Sequence, residues 1–182
     1  MWYGGGFMIS LLILNKMFDS SECVNNDIMR ELCDIYIPFL MGTLRYNGIK
    51  CECLDVAEPI NEYVFLGKNR DNLIYVPSFS CDKKAKTDIS FIYTDSVLPQ
   101  SPAFGVATKL RSLRERETEK IVFINQLLGN NILKDCSPII VDNMRFLNTE
   151  ATCVLRENIF KNAVLTARAI SEYYGIIFIE PF

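Results

Sequence analysis

Short stretches made almost wholly of apolar residues recur along this chain, separated by longer ones whose apolar residues return every three or four positions. FMISLLIL at 7–14, NLIYV at 72–76, PIIV at 138–141 and IIFI at 176–179 are too short for helices and too uniformly apolar to leave either face in water. Strands of that kind belong in a parallel sheet covered by helices. Helical periodicity fills the intervals: Ile28, Leu32, Ile35, Phe39 and Leu44 within 25–47, Leu113, Ile121, Ile124 and Leu128 within 112–128, and Ile159, Ala163, Ala167, Ile170 and Tyr174 within 150–174. Gly48, Gly129 and Gly175 stand where these helices would stop, and Ser20 and Ser21 where the first would be capped. Pro38 predicts a bend in the first. IKCECLDV at 49–56 and DISFIYT at 88–94 have strand character, and AFGVATKL at 103–110 reads as another strand. The expected fold class is α/β: a glycine-rich lead-in at 1–6, then a single domain at 7–182 with a mainly parallel central sheet flanked by three long helices.

The 182 residues are enough for one substantial core. The run at 7–14 is too short to span a bilayer, no basic residue precedes it and no small-residue cleavage site follows before Lys16. It therefore reads as a buried first strand, and no transmembrane span is expected. A net charge of −3 with no lysine or arginine stripe excludes nucleic acid as a partner. Seven scattered cysteines, mostly within apolar runs, read as buried free thiols in a reducing, cytoplasmic compartment.

The chain contains no histidine. That removes the usual proton shuttle near neutral pH, the usual partner of a serine or cysteine nucleophile and the commonest zinc ligand. Cys51 and Cys53 would share one face of a strand, but no second close pair completes a thiolate site, so buried thiols are the expectation. Lys50, the cation beside Cys51, would point to the opposite face and could not activate it. Lys109, Arg111, Arg114 and Arg116, interleaved with Glu115, Glu117 and Glu119, read as a solvated helix face. Tyr93 and Asp95 fall at the end of a strand, where α/β folds place ligands. Glu22 in a first helical turn suits the helix dipole.

SPIIVDNMRF at 137–146, LNTE at 147–150 and the helix closing in ARAISEYYGI at 167–176 resemble the end of zinc-dependent N-acetylmuramoyl-L-alanine amidases. Glu22 with the helix after it, YNGIKC at 46–51 and TDISFIYTDS at 87–96 are similar to earlier segments of that family, in the same order. The resemblance implies an amidase-like fold with a site near Glu22, Tyr93, Asp95, Asp142 and Asn143. It also implies two zinc histidines and a catalytic glutamate. In this chain LNKMF at 14–18 and Tyr93 occupy the histidine positions, and Asn143, or Asp142 one residue earlier, occupies that of the glutamate. Only Glu22 stands where a family ligand would.

No metal and no cofactor are therefore expected, and the first expectation is a noncatalytic structural or interaction protein. Such a protein would form a homo-oligomer or bind a protein partner or cell-wall glycan and peptide, its aromatic residues supplying the interface. The alternative is a peptidoglycan amidase or other hydrolase working through carboxylates such as Glu22, Asp95 and Asp142. YGGGF at 3–7, followed by an aliphatic run, is similar to short glycine-rich sporulation peptides, which implies a spore-associated setting.

Overall fold

The structure, a computed structural model, describes residues 10–15, 26–55, 73–82, 89–94, 99–116, 120–124, 139–147 and 152–181. The elements are β1 (Ser10–Asn15), α1 (Asn26–Tyr46), β2 (Lys50–Asp55), β3 (Leu73–Asp82), β4 (Ile89–Thr94), α2 (Pro102–Arg116), β5 (Lys120–Ile124), β6 (Ile139–Leu147) and α3 (Thr152–Tyr173). Their order in the sheet is β2-β1-β3-β6-β4-β5. The first four strands in that order run parallel; β4 is antiparallel to β6, and β5 follows β4. The α/β class, the mainly parallel sheet and the three flanking helices agree with the sequence.

Strand alternation decides which side chains meet the helices. Leu11, Ile13, Cys51, Leu73, Tyr75, Phe79, Ile92, Ile140 and Met144 share one face through the strand register. They form one core with Tyr36, Leu40 and Leu44 of α1, Val106 and Leu110 of α2, and Ile159, Ala163 and Ile170 of α3. Helix α3 packs against both α1 and α2. On the other face Ile74, Val76 and Ser78 are also buried, so β3 is enclosed on both sides. Tyr75 and Phe79, two of the aromatic residues expected to supply an interface, belong to this core.

Both long helices end as their glycines predict. Gly48 has φ 79° and Gly175 φ 72°, the left-handed conformation that closes a helix. Gly48 N–H donates to Arg45 O and Ile49 N–H to Leu44 O; Gly175 and Ile176 repeat the pattern on Glu172 and Ser171. Helix α1 runs through Pro38, which is exposed, as is Asp34, whose carbonyl has lost its helical donor to the proline ring. Among the described residues no helix is long and apolar enough to cross a membrane.

Three expectations are corrected. Residues 103–110 are helical: Ala103, Val106, Ala107, Leu110 and Leu113 are all buried on one face, and Pro102 occupies the first position, where its missing N–H costs nothing. The helix expected at 112–128 ends at Arg116, and the β-rich KIVFI segment forms β5. Residues 176–181 form no strand. They are held instead by the Asn47 carboxamide, which accepts from Ile179 N–H at 2.7 Å and donates to Ile179 O at 3.0 Å. Ser20, Ser21 and Gly129 lie outside the described residues.

Candidate functional site

The sheet order locates the natural crevice. From β1 the chain crosses to β2 on one side, then returns to place β3 on the other, so the strand order reverses between β1 and β3. Ligands of open α/β sheets bind beyond the carboxyl ends of the strands at such a reversal. Register fixes the level. Ile13 pairs with Tyr75, Asn15 is the last residue of β1, and Pro77 stands two residues past Tyr75, beside Asp142. Beyond that level β3 and β6 continue together to Asp82 and Leu147. Ser78, paired with Asn143, is the first step past the end of β1.

The residues named from sequence distribute unevenly around this point. Asn143 is half-buried at the crevice level. Asp142, its neighbour, alternates to the helix side of β6 and has no exposed surface. Tyr93 pairs with Val141 and Thr94 with Ile140, near the start of β6, because β4 runs against its neighbour. The carboxyl end of β4 thus lies away from the carboxyl ends of β1, β3 and β6. The strand end that shares the crevice with β1 is that of β3, where Pro77 and Ser78 went unmarked in the sequence. Glu22 and Asp95 lie outside the described residues.

Behind β6, Asp142 anchors a buried polar network. Arg114 of α2 donates from Nη1 to Asp142 Oδ1 at 2.8 Å and from Nη2 to Oδ2 at 2.6 Å, a bidentate pair with both side chains fully buried. Tyr75 OH donates to Oδ2 at 2.6 Å. Tyr36 OH lies 2.7 Å from Tyr75 OH and 2.9 Å from Thr166 Oγ1, which donates to Asn162 O at 2.8 Å. Three hydroxyl hydrogens therefore serve four contacts. Tyr75 spends its hydrogen on the carboxylate and Thr166 on the carbonyl, so Tyr36 has one to divide between two acceptors.

This arrangement overturns the reading of Arg114 as part of a solvated face. The signal was its place eleven residues after Ala103 on the buried stripe of α2, obscured by its charged neighbours. Burial alone would pull the guanidinium pKa down, but the Asp142 charge and hydrogen bonds outweigh it and hold the pKa above its ordinary value. Burial, and then the same carboxylate, push Tyr36 and Tyr75 upward. Asp142 is committed to this pair and offers no free base to the crevice.

Two of the described thiols, Cys33 and Cys51, are in no disulfide and are unsuited to nucleophilic work. Burial, reinforced by Asp34, pushes the Cys33 thiol up to about 12, and burial raises Cys51 despite the opposing charge of Arg45. Nucleophilic cysteines need the opposite shift. Among the described residues no group of three His, Cys, Asp or Glu side chains could hold a metal ion. Asn143 is a neutral carboxamide, so the described donors do not fit a histidine-type zinc site.

Comparison with solved structures gives the fold a name. The chain is similar to the N-acetylmuramoyl-L-alanine amidase AmiC2 of Nostoc punctiforme, with 13% identity, a TM-score of 0.68 and coverage of 93% of this chain and 99% of that one. It is similar to the catalytic domain of the amidase CwlV from Bacillus (Paenibacillus) polymyxa var. colistinus: 12% identity, TM-score 0.69, coverage 93% and 100%. The CwlD amidase of Clostridioides difficile, solved in complex with the GerS lipoprotein, matches at 9% identity and a TM-score of 0.64, with coverage of 90% and 98%. No family model and no curated protein sequence matches the chain. The fold is thus that of N-acetylmuramoyl-L-alanine amidases. The expectation of a noncatalytic structural protein falls on this finding, since these three matched structures are amidases. The missing histidines do not by themselves establish a loss of catalysis.

Proposed function

We propose that this chain is a cell-wall hydrolase that cleaves the N-acetylmuramoyl-L-alanine amide of peptidoglycan, using carboxylate chemistry in place of imidazole. The observation that carries the reading is the near-complete coverage of catalytic amidase domains by this fold. We place the site in the crevice beyond β1 and β3, at the level of the Ser78–Asn143 pair. Asn143 cannot take up a proton at neutral pH, but its carboxamide N–H can donate to a substrate carbonyl. Proton transfer falls to a carboxylate, because the chain has no imidazole and Asp142 is held by Arg114. Glu22, seven positions past the end of β1, is the leading candidate.

The test is incubation of the purified chain with isolated peptidoglycan, with and without added zinc and with a chelator, reading released stem peptides by mass spectrometry. Release that survives the chelator is expected, and Glu22→Gln should lower its rate by about 100-fold or more, the scale of a lost general base. Intact peptidoglycan under all three conditions would overturn the reading.

A further inference from the structure

A groove of about 380 Å³ lies along α1, lined by Asp34, Ile37, Pro38, Met41, Gly42 and Arg45 of that helix. Spacings of three and four residues put all six on one face. Pro38 and Gly42 are exposed there, although proline and glycine are the residues that cost a helix interior most. A Cβ at Gly42 would meet nothing within 4 Å, so the groove stays open beside it. From Leu32 to Leu44 the only charged residue is Asp34, and the next charge along the helix is Arg45. These two stand eleven residues apart, about 16 Å along the axis and beyond the screening length at physiological salt, so they do not pair within one chain. Arg45 Nη2 donates to Cys51 O at 3.1 Å, and the other N–H groups of its guanidinium can take a carboxylate.

The six positions map onto one another when the helix is reversed about the midpoint between Phe39 and Leu40. Asp34 then faces Arg45, Ile37 faces Gly42 and Pro38 faces Met41. Self-complementarity of this kind is what a two-fold interface requires. We propose that two copies of this chain pair through α1, antiparallel about that midpoint, so that Asp34 of each copy meets the partner's Arg45. Gly42 leaves room for the Ile37 side chain, and the adaptable Met41 packs on Pro38. A single helix pair is smaller than the roughly 1,600 Å² of a standard interface, so the dimer dissociates on dilution. The pairing does not depend on the hydrolytic reading.

Sedimentation equilibrium over a concentration series tests it. The wild type should interconvert between monomer and dimer. Asp34→Arg puts positive charge at both ends of the seam and Arg45→Asp negative charge at both, so each variant alone should dimerise about tenfold more weakly or worse. Mixed in equal amounts, the two should regain wild-type association as a heterodimer. Gly42→Gln, whose side chain enters open space in the monomer, should also weaken the dimer about tenfold or more while the circular dichroism is retained. That variant decides alone if a charge variant does not fold. A wild type that stays monomeric throughout the series, variants that dimerise as well as it does, or a mixture that associates no better than its parts would each overturn the proposal.

Discussion

Arg114 and Asp142 meet without solvent on either side, so each depends on the other for its charge to be tolerable. Desolvating both costs several kcal/mol, and only the bidentate geometry with Tyr75 beside it offsets that cost. Removing one partner is therefore far worse than removing both. Arg114→Met should destabilise the fold by about 3–5 kcal/mol in urea titration, and adding Asp142→Leu should recover most of the loss. A double variant no better than the single would show that the charges are not the reason. The hydrogen count makes a second prediction. Tyr75→Phe removes a bond to a charged group and should cost about 1.5–3 kcal/mol, whereas Tyr36→Phe removes one hydrogen shared between neutral oxygens and should cost about 1. The reverse order in equilibrium unfolding would mean that the carboxylate draws its hydroxyl donor from elsewhere.

At the scale of elements, α2 and α3 are in tight contact where Gly105 meets the Tyr173 ring; a Cβ there would collide with the ring carbons. Tyr173 is also packed edge-on against Tyr174, at 5.0 Å between centroids, which restricts its retreat. Gly105→Ala should therefore destabilise by about 1–3 kcal/mol despite alanine's better helix propensity. Truncating Tyr173 to alanine in the Gly105→Ala background should remove the penalty due to Gly105→Ala, as a double-mutant cycle would read. The same helix shows why sequence reading failed locally. AFGVATKL carries Gly105 and the β-prone Phe104, Val106 and Thr108, which give it strand character in sequence, whereas the helix is set by Ala103, Val106, Ala107 and Leu110 sharing one buried face. Its end at Arg116 was hidden by the charges that follow. By contrast α1 and α3 were legible, because long runs in phase closed at glycines whose positive φ the structure retains.

For the whole molecule, the order of elements was readable outside 103–124 and 176–179, but the direction of β4 was not. Strand pairing depends on partners distant in sequence, and DISFIYT looks the same whichever way it runs. Hence Tyr93 was assigned to the crevice, although the antiparallel junction turns its end of β4 toward the start of β6. Pro77 and Ser78 owe their place at the crevice level to the parallel pairing of β3 with β1 and β6. The buried network spans α1, β3, β6, α2 and α3, so its titration couples to global unfolding rather than to local fraying. Cys33 has its thiol raised from 9.0 to about 12 by burial, while Tyr36 and Tyr75 are raised above 10.0. Above pH 9 the unfolded chain releases the Cys33 proton and the folded chain retains it. The stabilisation from the neutral thiol is thus complete below pH 9 and declines up to about pH 12, at about 1.4 kcal/mol per pH unit. The tyrosines steepen the decline above pH 10. Urea midpoints should be level from pH 7 to 8.5 and fall from pH 9 upward. Cys33→Ala should lose part of the slope between pH 9 and 10 while keeping the steeper loss beyond it; equal slopes in both proteins would show that Cys33 does not govern the onset.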